Sequence, residues 1–514
     1  METDTSAQDS GQPGQKEDAY HVFTYREKLC LVILVSLAAT FSPLASNIYF
    51  PALDEIADTI DASNQAASLT ITTYMIAQGI APSFWGPIAD CMGRRQVLVY
   101  TLVLFVGANI GLALSRNIGV IMFFRFMQAA GSSSTISIGT GVIADIAPAK
   151  ERGGFIGAFA GVRQFSMAIG PVLGGILAGT LGFPSIFWTL MIFGSLVIVL
   201  IIAFLPETLR LIAGNGAIPL TGLKYEPLHR KAAPWRKKGV AAPANETGER
   251  PGPEKMTVRM FSEPMLFLLE KDVACTLMFG AVIYTVFSMV SASTTFVLLH
   301  AYHLSTLKIG ACFLPSGVGC AVGSVIAGRQ MDAEFRLAEA SYKYARGLPH
   351  AHRLPKSNMP ADFPLERARL AQLPTMTAIF GFAVVVYGFG VTSGGSLVVP
   401  LMAQFAVGYA STAVLNLNNT LTVDLYPGKS AAATAVNNLA RCLLGAVGVS
   451  LTEIALVRVS PAVLFLALGG VVVAASPMAW AEWKFGMKWR AKRKERMREK
   501  QEEADGGVEL GMLR

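Results

Sequence analysis

Two arginines, Arg163 and Arg441, stand about ten residues inside apolar segments long enough to cross a membrane. A guanidinium at such depth costs roughly 2.5–3.5 kcal/mol on insertion scales, so residues of this kind usually face an internal cavity and have a task there. A cavity holding two fixed cations attracts an anion. The other polar side chains at comparable depth are Gln78, Arg125, Gln128, Gln164, Asn416, Asn418, Asn419, Asn437 and Asn438, a set of amide and cationic donors that suits carboxylates.

The elements that must hold these residues are membrane helices. The chain has 514 residues, 52% hydrophobic and only 15% charged, and its apolar runs reach helix-spanning length again and again. The formal net charge of +8 does not indicate nucleic acid, because Lys and Arg gather in particular loops rather than on one face. The six cysteines fall within apolar segments or in a loop expected to be cytosolic, with neither disulfide-framework nor metal-ligand spacing. No cofactor or metal site is expected.

Runs of about 20 apolar residues predict twelve spans, near 28–50, 65–88, 96–115, 118–144, 153–180, 184–206, 271–299, 306–328, 373–393, 396–424, 430–457 and 460–483. The expected fold is an all-α polytopic membrane protein with twelve transmembrane helices in two pseudo-symmetric six-helix bundles, 26–206 and 271–483. Residues 1–25 read as a disordered cytosolic tail without a signal peptide, 207–270 as a cytosolic central loop, 332–372 as a long cytosolic loop, and 484–514 as a basic cytosolic tail.

Arg94, Arg95, Lys150, Arg152, Arg329, Arg336, Lys429 and the tail from Lys484 to Lys500 fall on one side, which the positive-inside rule makes the cytosol, with both termini. The Asn245-Glu246-Thr247 sequon then faces the cytosol and stays unmodified. The basic tail reads first as a retention signal, with anionic lipid as the alternative partner. Gly86 to Asp90 after span 2 and Gly328 to Asp332 after span 8 repeat one spacing, and Arg163 and Arg441 are counterparts in spans 5 and 11, as in a transporter built from two similar halves.

The loop Gly86-Pro87-Ile88-Ala89-Asp90-Cys91-Met92-Gly93-Arg94-Arg95 resembles the signature loop of the major facilitator superfamily. That resemblance implies a gating role for Asp90 and Arg94, which latch the cytosolic side when the outer side is open. Arg125-Phe126-Met127-Gln128-Ala129-Ala130-Gly131 is similar to the family's second motif and implies proton coupling for Arg125, although Gly131 follows Gln128 by three residues rather than one. Gly157, Gly161, Gly170-Pro171 and Gly174-Gly175 resemble the antiporter motif, which implies an exporter with Gly170 and Pro171 at a bend. Pro206-Glu207-Thr208-Leu209, Phe363 to Leu370, and Asn437 to Arg441 look like the fungal branch of the twelve-helix drug:proton antiporters, which includes multidrug exporters and exporters of citrate-like acids.

Charge selects between these substrates. A cation exporter needs an acid deep in the cavity, and Asp54, Glu453, Asp145, Asp424 and Asp272 all lie toward span ends. With the cell interior negative, each negative charge moved outward gains about 2.3 kcal/mol per 100 mV. The expected substrate is therefore a small organic anion, itaconate- or citrate-like, bound by Arg163, Arg441, Gln78, Gln164, Asn416 and Asn437. For Gln78, Asn416, Asn418 and Asn419, tying helices together stands ahead of binding ligand. The alternative is multidrug:proton antiport of hydrophobic or cationic compounds or of a secondary metabolite. No enzymatic chemistry is expected, since neither a His-rich array nor a Ser/His/Asp set lies at an interface. Expected partners are the organic anion and the bilayer, with protons left open and nucleic acid not expected. The chain is read as a monomer in the plasma membrane, with the vacuolar membrane as the alternative.

Overall fold

A computed structural model describes residues 21–214, 270–349, 362–425 and 430–512, together with residues 222, 225–228 and 360. The N-terminal tail before residue 21, most of the central loop with its sequon, and Lys429 lie outside the described residues. Twelve helices of 20 residues or more follow one another: α1 (Tyr25–Asn47), α2 (Asn64–Met92), α3 (Arg94–Leu114), α4 (Ile118–Ile146), α5 (Ala149–Leu181), α6 (Pro184–Phe204), α7 (Lys271–Tyr302), α8 (Leu314–Ala345), α9 (Leu373–Thr392), α10 (Val398–Leu425), α11 (Ser430–Arg458) and α12 (Pro461–Met512). Ten of the long helical segments are long and apolar enough to cross a membrane. Helices α2 and α4 match them in length at 29 residues each, but carry Gln78, Arg125, Gln128 and the Ser132–Thr135 run.

Local chemistry sets many of the ends. Ser63 Oγ accepts the Ala66 N–H at the start of α2, and Asn117 Oδ1 accepts the Gly119 N–H at the start of α4. Thr24 and Glu27 form a capping box on α1, while α6, α8 and α12 open with proline in the first turn. Helix α8 runs on to Ala345, into the stretch read as the 332–372 loop. Residues 333–345 are rich in Ala and Glu, which favour helix, and Glu339 pairs with Lys343 one turn on at 2.7 Å. Likewise α12 continues as helix through the basic tail.

The helices pack as two halves with one plan. In the first half α1 packs on α4 and α5, α2 on α4, and α3 on α4 and α6; adding six to each number gives the packing pairs of the second half. Each half has its own apolar core, around Val35, Tyr74, Phe105 and Ile138 in one and Ile283, Phe380, Val414 and Phe465 in the other. Outward surfaces are apolar too: Ile192 is 61% exposed, Phe382 74% and Val473 68%, as side chains facing lipid would be. The halves meet along α2 against α11 and α5 against α8.

That meeting is lopsided. Call the end with Asp90, Arg94 and Asp272 the basic side, and the other the far side. On the far side Thr295 Oγ1 donates to the Phe50 carbonyl (2.9 Å) and the Phe50 and Phe313 rings stack. There Gly175 lies against Gly310, so that a Cβ on Gly175 would stand 2.9 Å from the Gly310 Cα. Toward the basic side on the same helix faces, by three- and four-residue spacing, Gly86, Gly154, Gly157, Gly161 and Gly328 have nothing within 4 Å of an added Cβ. Among the described residues, the halves are in close contact on the far side and stand apart at these positions on the basic side.

Candidate functional site

Helices α5 and α11 carry Arg163 and Arg441 into the space between the halves. The Arg163 guanidinium lies deep among the helices, keeps part of its surface accessible, and is close enough to Arg441 to feel its charge. Among the described residues it has no hydrogen-bond or ion-pair partner; only its backbone carbonyl is used, by Ser166 Oγ at 2.7 Å. Arg441 is partly accessible as well. Its Nε and Nη2 donate to Asn438 Oδ1 (3.2 and 2.8 Å), and its guanidinium lies over the Tyr284 ring of α7 at 5.0 Å. No carboxylate neutralises either arginine among the described residues.

The surrounding amides divide. Asn438 Nδ2 donates to the Gln78 backbone carbonyl (2.8 Å), joining α11 to α2 across the two halves, while Gln78 Nε2 donates to Ser42 Oγ (3.2 Å). Gln78 is thus a support at the edge of the arginine pair. Gln164 is partly accessible beside Arg163 in sequence. Asn416 donates to Ser324 of α8 (3.1 Å) and Asn437 to Asn419 of α10 (3.2 Å); both tie helices within the second half, and neither is hydrogen-bonded to an arginine of the pair.

Arg125 is handled otherwise. It is wholly buried, with its guanidinium between the rings of Tyr49 (4.1 Å) and Tyr74 (4.3 Å), and Nη1 donates to the Ala45 carbonyl (3.1 Å) and Gln128 Oε1 (2.7 Å). Gln128 in turn donates to Asn109 Oδ1 at 2.7 Å. The partners that hold the Arg125 guanidinium all come from the first half.

On the basic side, Arg94 pairs with Asp90 (2.5 Å) and with Asp145 at the end of α4 (3.3 Å). Glu207 accepts the N–H groups of Arg94 (2.9 Å) and Arg95 (3.2 Å), so a carboxylate closes the N-terminus of α3. Gly93, at φ +112°, makes the turn, and a Cβ there would stand 2.5 Å from Glu207 Oε2. Gly170 packs on the end of α1, where its added Cβ would lie 3.1 Å from Asn47 Cβ, and the Pro171 carbonyl abuts Gly310 of the other half. The second half has its own version of the Arg94–Asp145 pair, Arg369 to Asp424 at 2.8 Å. Asp332, expected from the repeated spacing to match Asp90, makes no ion pair among the described residues.

Sequence reasoning missed three features here. Tyr284 beneath Arg441 and the tyrosines around Arg125 give no signal apart from their apolar helices. Glu207 stood in a recognised motif without a role, although an acid just after a helix can reach the start of another.

This architecture, two six-helix halves of one plan enclosing polar side chains, is that of a membrane transporter. The model of the Major Facilitator Superfamily matches residues 35–449, and the chain belongs to that family, in its fungal drug:proton antiporter group that includes organic-acid exporters. It is 45% identical over 481 residues to Citrate exporter 1 of Aspergillus niger, covering 94% of this chain and 90% of that protein. It is 30% identical over 502 residues to Multidrug transporter AQR1 of Candida glabrata, covering 96% and 82%. The crystal structure of the human organic anion transporter MFSD10 (TETRAN) shares the fold, with a TM-score of 0.52 and 18% identity over 88% of this chain and 99% of that one.

Proposed function

We propose that this transporter exports small organic anions, itaconate- or citrate-like di- and tricarboxylates, and that Arg163 and Arg441 clamp the substrate between the two halves. The observation that carries the reading is the bare Arg163 guanidinium, accessible and within electrostatic reach of Arg441, with no carboxylate on either. Two guanidinium forks from opposite halves suit a molecule with two carboxylates, each fork giving paired charge-assisted hydrogen bonds. The likeness to Citrate exporter 1 supports the same substrate class.

The cycle is alternating access, with the halves rocking about the arginine pair. The basic side is the cytosol by the positive-inside rule, so the described shape is the one that admits substrate from within, and both termini are cytosolic. Asp90 and Arg94 serve the closed state of that side. Arg125 serves coupling, with Gly170 and Pro171 at the pivot on α1 and the Thr306–Cys312 helix. Efflux of labelled citrate and itaconate from cells with and without the protein tests the substrate. Cysteines in the loops after α2 and α8, once cross-linked, are expected to stop it, and full activity of the cross-linked protein overturns the rocking cycle.

The second reading, multidrug:proton antiport, draws on the likeness to Multidrug transporter AQR1. It predicts efflux of a cationic dye that survives loss of either arginine.

A further inference from the structure

At the basic end of the second half, five charged side chains are shut away from solvent: Asp272 of α7, Glu366 of the short Leu365–Arg369 helix, and Glu482, Arg490 and Arg493 of α12. Arg493 Nη1 lies 2.6 Å from Asp272 Oδ2, and Arg490 Nε lies 3.1 Å from Glu366 Oε1. The other arms of the arginines donate to the carbonyls of Leu425 (3.0 Å) and Phe363 (2.5 Å). Both guanidinium groups are thereby engaged.

Glu482 is left over. It is 0% exposed, and neither of its carboxyl oxygens has a hydrogen-bond partner; the Glu366 oxygens and Asp272 Oδ2 lack one too, but those carboxyls each face a guanidinium in an ion pair, and among the described residues Glu482 does not. Three carboxyls share the pocket with two guanidinium groups, so full ionisation leaves one buried negative charge without a cation of its own among the described residues. Burying an ion with no donor is far costlier than burying the neutral acid. Gly486, one turn on, gives the group its room, since a Cβ there would stand 2.8 Å from Glu482 Oε1 and from Glu366 Cγ.

We propose that Glu482 is a proton-binding site whose bound proton balances this cluster and keeps the basic extension of α12 docked on α7 and the Leu365–Arg369 helix. The facing groups are Asp272 and Cys275 on α7, Glu366 on the short helix, and Arg490 and Arg493 on α12. At the rim stand Lys494, the Glu270–Arg496 pair (2.8 Å) and Asp362. Burial also pushes the Glu366 carboxyl above its ordinary range, against the pull of Arg490, which further disfavours a third charge.

The sign follows from linkage. An ionised Glu482 is left without a donor in the docked cluster and regains water once freed, so docking is strongest in acid and weakens as pH rises. One proton lost per undocking changes the docked ratio up to tenfold per pH unit. Hydrogen exchange of residues 484–496 in the intact protein, corrected for the chemical exchange rate, is expected to accelerate on this slope. Glu482→Gln is expected to stay docked and to show a much shallower slope over the same range, the remainder coming from Glu366. Infrared spectra of the wild type at neutral pH are expected to hold a protonated-carboxyl C=O band that fades on alkalinisation and is missing in the variant. An equal slope in both proteins, a flat wild type, or a spectrum without that band overturns the proposal.

Discussion

Arg125 and Arg163 are the same residue inside consecutive membrane helices, and the fold treats them in opposite ways. Around Arg125 it supplies two tyrosine faces, a carbonyl and a glutamine, and shuts out solvent. Around Arg163, among the described residues, it supplies no hydrogen-bond or ion-pair partner, only a second arginine within electrostatic reach. A buried cation enclosed by its own bundle is a structural commitment, whereas one left accessible and unpaired gains its partner from outside. The contrast makes Arg125 part of a half and Arg163 part of the gap between halves.

The largest effect expected from breaking this contrast is on stability. Arg125→Ala removes the filling between Tyr49 and Tyr74 and orphans Gln128 Oε1, at about 3 kcal/mol, while Arg163→Ala forfeits no hydrogen bond or ion pair among the described residues and costs under about 1 kcal/mol. Denaturation midpoints of the two variants in detergent check this, and equal losses would erase the distinction.

Transport is where the arginine pair is expected to register. Arg163→Gln and Arg441→Gln each lose charge-assisted bonds worth about 2 kcal/mol, or roughly 30-fold in organic-acid export, with the protein still reaching its membrane. Lysine at either position keeps the charge without the fork and is expected to lose only several-fold. Initial efflux rates normalised to surface protein give the comparison.

Smaller effects belong to the basic side. Glu207→Gln weakens the cap on α3 by about 1 kcal/mol, visible as a modest loss in the melting midpoint, because the amide keeps an acceptor but not the charge. Asp90→Asn keeps fold and substrate affinity and slows turnover a few-fold, since only one of the two carboxylates holding Arg94 is lost. An unchanged turnover rate returns that loop to a topological role.

Much of the fold was legible because apolar runs and small-residue stripes write membrane helices directly into composition. Ten helical segments meet the span criteria, and the family is as the Gly86 to Arg95 loop implied. Polar cargo hid part of the pattern, since α2 and α4 carry the residues that face inward. The depth of Arg163 and Arg441 was visible from the sequence; their proximity was not, because it depends on how two halves 278 residues apart in register, 441 less 163, come together. The repeated spacing gave no hint of the Arg369–Asp424 pair, the second half's counterpart of Arg94–Asp145. Buried Glu482 escaped notice because it sits at a span end beside a basic tail, where a carboxylate ordinarily meets water.

The account turns on whether the arginine pair binds a multiply charged anion. Calorimetric titration of citrate into the purified wild type, Arg163→Gln and Arg441→Gln measures this without any transport step. Saturable binding by the wild type, weakened about 30-fold in each variant by loss of roughly 2 kcal/mol, is the predicted result. Citrate binding of equal affinity in all three proteins would contradict it.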